Sequence, residues 1–251
     1  MKLNIKNISK IYGENTKDEF QALKDVSFRV NPGESIGIIG PTGSGKSTLL
    51  NIISGLTKAT SGEISYDDFN FTTKTKLKKF NKIRDKISIS YQNPDLQLFK
   101  ETVFNDIALS LDKNKYTEEE INKKVHDVIK IVNLNPDLLN KVPFNLSSGE
   151  KRKVILASLL ISEPEVLVFD EPTAHLDPAS TKVFVETIRK LNRKYNKSLI
   201  IVSHDLEIIN QLTTRTLFLK DGIVYAKGKT TDILNRNLLL TSAKMIPKAK
   251  K

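Results

Sequence analysis

Residues 36–50 read IGIIGPTGSGKSTLL: an apolar run, a glycine-rich turn and the opening of a helix. Gly40, Gly45, Lys46 and Ser47 satisfy the spacing G-x-x-x-x-G-K-[ST], with Gly43 as a further glycine inside the turn. Glycines let successive backbone N–H groups curl round an anion, because a side chain there blocks close approach or forbids the φ required. A helix opening near Lys46 aims its unpaired amides and partial positive charge at the same anion. The spacing therefore predicts a phosphate cradle over Gly40, Pro41, Thr42, Gly43, Ser44, Gly45, Lys46, Ser47 and Thr48. In it Lys46 reaches the β- and γ-phosphates of a nucleotide and the Ser47 hydroxyl ligates Mg²⁺. The competing reading, a flexible glycine turn, leaves unexplained the strand before the loop and Thr48-Leu49-Leu50 after it.

Outward from this stretch, residues 2–9 and Ala22–Val30 alternate polar and apolar and predict two strands, the second leading through Asn31-Pro32-Gly33-Glu34 into the phosphate-loop strand. The hairpin brings Tyr12 towards a bound nucleotide, or else buries it as a strand-end aromatic on the core. A helix to about Leu56 and a short strand from Gly62 to Tyr66 follow. Ile87–Tyr91 alternates again and is stopped by Pro94. Leu98, Val103, Ile107 and Leu111 share one helical face, and Thr117 followed by three glutamates predicts the N-cap of a helix running through Val132. Residues 94–164 thus read as a helical insertion between a first part, 1–93, and a second, 165–251.

Val166–Phe169 and Ser198–Val202 are continuous apolar runs suited to strands buried on both faces, with a helix between them from about Pro178 to Tyr195. Asp221-Gly222 marks a hairpin between two last short strands. Strands alternating with helices predict an α/β fold with a mostly parallel central sheet, in which ligands bind beyond the carboxyl ends of the strands. The phosphate loop, Asp170-Glu171 and His204 all fall at such ends.

Among 251 residues there is no cysteine, which removes disulfides and thiolate metal sites, and nothing points to an oxidising compartment. The N-terminus lacks the apolar core of a signal peptide, and the longest apolar stretch, Val154–Ile161, falls far short of the roughly 18 residues of a membrane span. The expectation is a soluble or peripheral protein on the cytoplasmic side. A net charge of +11 fits nucleic acid or anionic lipid as a partner, but lysine is spread along the chain, and a solvated basic surface explains it better. Local clusters occur at Lys74, Lys76, Lys78, Lys79, Lys82, Arg84 and Lys86, and at Lys244, Lys248, Lys250 and Lys251. No aromatic-rich surface accompanies them, so a nucleic-acid partner is not expected.

Two acids directly after an apolar strand, in a chain with a phosphate loop, suggest a division of labour. Asp170 holds Mg²⁺ through water, and Glu171 orients and polarises the attacking water. Gln92, also at a strand end, offers an amide oxygen to metal or water, or is an ordinary turn residue. His204 is placed to meet a γ-phosphate, whereas His126 lies on an amphipathic helix and reads as structural or solvated. Leu146-Ser147-Ser148-Gly149-Glu150 is a serine-glycine helix start, either a simple cap or an anion site.

The order GPTGSGKS, a glutamine after a strand, LSSGE, VLVFDEP, HLDP and SHD resembles the ATPase subunits of ATP-binding cassette (ABC) transporters over practically the whole chain. The resemblance implies a P-loop NTPase fold with an N-terminal antiparallel β part and an inserted helical subdomain. It implies that ATP and Mg²⁺ lie between the phosphate loop of one cassette and the signature of a second. Ser147 and Gly149 would then face the partner's γ-phosphate, Asp177 would link the two sites, Tyr12 would stack on adenine, Gln92 would sense a membrane subunit, and His204 would be the switch histidine. Ser148 and Glu150 depart from the family's LSGGQ. Gln92-Asn93-Pro94-Asp95, continued through Phe99, together with GPTGSGKST and DEPTAHLDP, is similar to energy-coupling factor ATPases, the second of the two types those importers pair. That implies hydrolysis driving uptake of a vitamin or metal-type micronutrient. The implied partners are a second ATPase, a transmembrane coupling subunit and a substrate-binding membrane subunit, with this chain peripheral on the cytoplasmic face of the membrane. The alternatives are a cassette of another transporter, which the Gln92–Phe99 segment disfavours, and a non-transport cassette protein.

Overall fold

The apolar run before the phosphate loop forms a strand buried along its whole length, and the other elements lie on either side of the sheet it joins. The computed structural model describes residues 1–112, 114–236, 240–241 and 245. Lys244, Lys248, Lys250 and Lys251 of the basic tail, and the side chain of Lys82, lie outside that description.

In chain order the elements are β1 (Leu3–Tyr12), β2 (Phe20–Val30), β3 (Ser35–Ile39), α1 (Lys46–Ile53), β4 (Ser61–Tyr66), β5 (Phe69–Thr72), α2 (Asn81–Arg84), β6 (Ile87–Ser90) and α3 (Val103–Ala108). There follow α4 (Glu118–Val132), α5 (Ser148–Leu160), β7 (Val166–Asp170), α6 (Pro178–Tyr195), β8 (Ser198–Val202), α7 (Leu206–Leu212), β9 (Arg215–Lys220), β10 (Ile223–Lys229) and α8 (Thr230–Leu234). A six-stranded sheet has the order β10-β9-β3-β8-β7-β6; it is parallel from β9 to β6, and β10 pairs antiparallel with β9. The β9–β10 turn holds Asp221 and Gly222 at φ 50° and 76°, the backbone that a two-residue hairpin demands. A separate four-stranded antiparallel sheet, β2-β1-β4-β5, shares one hydrophobic cluster with a face of the central sheet.

Because successive strand residues face opposite sides, the central sheet divides the core in two. Ile36, Ile38, Val166, Val168, Ile200 and Val202 meet side chains of β1, β2 and α1. Ile39, Leu167, Phe169, Leu199, Ile201 and Phe218 meet side chains of α3 to α7. Period-two burial on both faces is why β7 and β8 read as unbroken apolar runs. Among the described residues no helix is long and apolar enough to cross a membrane.

One expectation needs correcting. The helical face from Leu98 to Leu111 is buried as a set, but only Val103–Ala108 is α-helical. The Asp106 carboxylate accepts from the backbone N–H of Phe99 and Lys100 at 3.2 and 3.1 Å, which folds the chain into a turn ahead of the helix. Thr102 then caps it, accepting from the N–H of Asn105. The Thr117 cap is present as a capping box with Glu120, worth about 1 kcal/mol to α4. In the basic stretch Phe80 and Ile83 are buried, Arg84 donates to the carbonyl of Gly55, and Lys86 pairs with Glu165 at 2.8 Å, so part of it serves packing.

Candidate active site

At the carboxyl end of β3 the chain turns sharply, and two glycines are required for it. A Cβ on Gly40 would stand 2.0 Å from the carbonyl oxygen of Leu219; one on Gly45, at φ 96°, would stand 2.5 Å from that of Ala22. The turn opens into a cleft of about 910 Å³. Gly40, Pro41, Thr42, Gly43, Gly45, Lys46, Ser47 and Thr48 line it, and Gln92, Asp170, Glu171 and His204 close it from the ends of β6, β7 and β8. Ser44 is buried beneath the loop instead of lining it.

Lys46 Nζ donates to the carbonyls of Gly40 and Pro41, both at 2.8 Å, which holds the ammonium under the loop. Burial draws its pKa down, while the charges of Glu171 and Asp170 oppose the shift. The Ser47 hydroxyl donates to Asp170 Oδ2 at 3.3 Å. Burial, then the neighbouring Glu171 charge, raises the Asp170 pKa against the opposing pull of Ser47 and Lys46. A hydroxyl and a carboxylate side by side beside a phosphate cradle are the hard oxygen set that Mg²⁺ takes with substrate phosphates and water.

Glu171 stands in the left-handed backbone region, φ 49°, a conformation costing a non-glycine residue roughly 1–3 kcal/mol. Its carboxylate is held at both oxygens. Ser203 Oγ donates to Oε2 at 3.0 Å, the N–H of His204 donates to Oε1 at 2.9 Å, and His204 Nδ1 lies 2.9 Å from Oε2. Asp205 caps α7 through the N–H groups of Glu207 and Ile208, and thereby fixes the turn that presents His204. Sequence reading named Ser203 only as part of SHD; its role is visible once β7 and β8 are seen to be neighbours. His126 bonds the carbonyl of Asn122 within its own helix.

Tyr12 is 41% exposed and belongs to neither apolar cluster, so it is not a core aromatic. It does not line the cleft; Phe20, its partner across the β1–β2 register and 58% exposed, does. Ser147, Gly149 and Asp177 are elsewhere. Ser147 caps α5 in a capping box with Glu150, its hydroxyl 2.7 Å from Oε2, and Asp177 caps α6 by accepting from the N–H of Ser180. Ser147 and Gly149 line a second, smaller pocket with Ala179, Ser180 and Val183, and this pocket shares no lining residue with the phosphate cleft. Arg152, absent from the sequence reading, is buried behind Gln92 and Glu171. Its only signal is its place one turn before buried Ile155 and Leu156 on the same face of α5.

The ABC transporter family pattern matches residues 23–174. The chain belongs to the ABC transporter family. It is 40% identical over 236 residues to the energy-coupling factor transporter ATP-binding protein EcfA2 of Clostridium tetani, covering 94% of this chain and 81% of that one. Against the protein of the same name from Caldanaerobacter subterraneus the identity is 37%, covering 93% and 81%. Among solved structures, the dimeric ATP-binding cassette MJ0796 in a post-hydrolysis state bound to ADP and Pi superposes with TM-score 0.81 at 32% identity, covering 91% of this chain and 98% of that one. The cbiO1 protein of Clostridium perfringens, part of the cbiONQ ABC transporter complex, gives TM-score 0.82 at 30% identity, covering 98% and 95%. This ABC cassette is therefore an ATP hydrolase of the energy-coupling factor type with the P-loop NTPase fold.

Proposed function

We propose that this cassette works as one of two ATPases that energise uptake of a vitamin or metal-type micronutrient, peripheral on the cytoplasmic face of the membrane and bound to separate coupling and substrate-binding membrane subunits. One observation carries the two-cassette part. The phosphate cleft and the Ser147 pocket have no residue in common, so a γ-phosphate held by Lys46 has no signature serine facing it within the chain. A second, similar cassette supplies that face, and this chain's Ser147 and Gly149 complete the partner's site, with Asp177 between the two.

In the roles proposed, Glu171 accepts the proton of the attacking water, its carboxylate aimed by Ser203 and His204. His204 meets the γ-phosphate, Lys46 balances phosphate charge from below the loop, and Tyr12, exposed opposite Phe20, stacks on adenine. Ser47, Asp170 and Gln92 would hold Mg²⁺, which when bound would supply charge neutralisation for the nucleotide phosphates. We take 1–93 and 165–251 as the nucleotide-binding core and 94–164 as the helical subdomain.

The docking reading rests on Leu96 and Phe99, 76% and 60% exposed, in the turn just beyond Gln92. Exposed apolar side chains there offer a seat for a helix of the coupling subunit. Gln97 is not part of that seat, because its side-chain amide bonds the N–H of Tyr91 and the carbonyl of Ile89 and so fixes the turn to β6. Introducing Leu96→Glu with Phe99→Glu should leave ATP affinity intact while abolishing co-purification with the membrane subunits. Retention of a full complex by the double variant would refute the docking site.

A further inference from the structure

Arg152 lies in α5, 1% exposed, and forms no ion pair with a carboxylate among the described residues. Its guanidinium donates only to backbone carbonyls: Nη1 to Tyr91 at 3.0 Å, and Nη2 to Gln92 at 2.5 Å, to Ala174 at 3.3 Å and to Glu171 at 3.5 Å. A buried cation without a counter-charge is costly, and the planar fork recovers that cost only by holding several carbonyl dipoles at fixed angles. The carbonyls belong to two separate loops, one after β6 and one after β7. Lys151, the preceding residue, pairs with Asp95 at 2.8 Å. The first turns of α5, whose N-terminus carries Ser147 and Gly149, therefore grip both loops. One of those carbonyls is that of Glu171, whose left-handed backbone aims its carboxylate at Ser203 and His204.

We propose that Arg152 is a positioning residue for hydrolysis. It locks the Gln92 loop to the Glu171 loop and to the signature helix, so that displacement of the segment carrying Leu96 and Phe99 is passed on to the Glu171 carboxylate. The inference rests on the reading of Glu171 as the base. It acts on the arrangement of the reacting groups and not on the phosphate loop, so its mark is on kcat and not on KM for ATP. A lysine keeps the charge but lacks the fork and cannot span the two loops.

The test uses the assembled complex with R152M, R152K, E171Q and the R152M/E171Q pair, following ATP turnover, ATP affinity by titration and thermal unfolding. R152M should lower kcat by about 10- to 100-fold, the scale of an ångström-sized misplacement of a catalytic group, with KM and ATP affinity within about threefold. R152K should fall between R152M and the parent. In the E171Q background, R152M should lower the residual rate by less than about threefold, because both changes act through one carboxylate. If R152M does not fold, R152K decides: a lower kcat at unchanged KM supports the proposal, and parental kcat overturns it. Losses that multiply in the pair, or a KM that rises with the fall in kcat, would reduce Arg152 to a packing residue and overturn it. Near-parental turnover by E171Q would remove the base reading and this proposal together, whereas an inactive E171Q beside a fully active R152M overturns this proposal alone.

Discussion

Glu171→Gln separates proton acceptance from architecture. The carboxylate meets three groups: the Ser203 hydroxyl at 3.0 Å, the His204 N–H at 2.9 Å and His204 Nδ1 at 2.9 Å. The amide oxygen of glutamine can keep the bond from the His204 N–H, and its NH₂ can donate to Ser203 Oγ or to a neutral His204 Nδ1. What is lost is the difference between charged and neutral hydrogen bonds, about 1 kcal/mol each by general scale. For a chain of 251 residues a loss of that size lowers Tm by only about 2–4 °C per kcal/mol. The proton acceptor, by contrast, is gone. A positioned general base contributes about 10²- to 10⁴-fold, or roughly 3–5 kcal/mol of barrier. With three such contacts the variant should therefore melt no more than about 12 °C below the parent, bind ATP normally and release phosphate at least about a hundredfold more slowly. Phosphate release by the assembled complex, with ATP titration and a melt on the same preparation, measures all three. Turnover within about threefold of the parent, with binding intact, would refute the assignment.

Lys46→Ala deletes the ammonium beneath the loop and should weaken ATP binding by about 10- to 100-fold, the worth of a charge-assisted hydrogen bond; equilibrium titration checks it, and unchanged affinity would contradict it. Gly45→Ala places a Cβ 2.5 Å from the Ala22 carbonyl at φ 96°, so it should lose nucleotide binding and at least about 1 kcal/mol of stability in a denaturant titration. Ser147→Ala removes the α5 capping box and should cost about 1 kcal/mol near neutral pH. Hydrogen bonds from the Ser147 hydroxyl, then from its N–H, hold the Glu150 pKa below its ordinary value. Stability from that pair is therefore present above the ordinary carboxylate value and lost as pH falls through the depressed native one. The Ser147→Ala deficit should accordingly shrink in acid; a deficit that grows there would contradict the sign.

The sequence was most legible where burial is two-sided and the boundary residues are strong. β7 and β8 are unbroken apolar runs because both faces of the central sheet are covered, and α6 begins at Pro178 and ends at Tyr195 as its pattern predicts. The phosphate loop could be read because Gly40 and Gly45 are forced by carbonyls that a Cβ would overlap, and Gly43 by its positive φ of 80°. Some short elements were not legible: β5 and α2 have four residues each and no stop signal as strong as the Pro94 that follows β6, and α7 was hidden behind SHD. The contacts of Glu171 with Ser203 and His204 depend on which strands are neighbours, which residue order does not state. Arg152 escaped because a charge beside a signature reads as solvated, whereas here carbonyls of two distant loops surround it. Tyr12 and Phe20 show the same limit, since their pairing across β1–β2, and Phe20's place in the lining of the cleft, depend on a register that residue order does not state.

The measurement that bears most directly on the two-cassette account is phosphate release by this chain alone, at concentrations where it is monomeric, compared with the same chain joined to a second cassette and the membrane subunits. Because the Lys46 cleft and the Ser147 pocket lie apart in one chain, the account predicts ATP binding with little hydrolysis by the monomer and a large rise on assembly. Full hydrolysis by the monomer, unchanged when the partners are added, would contradict it.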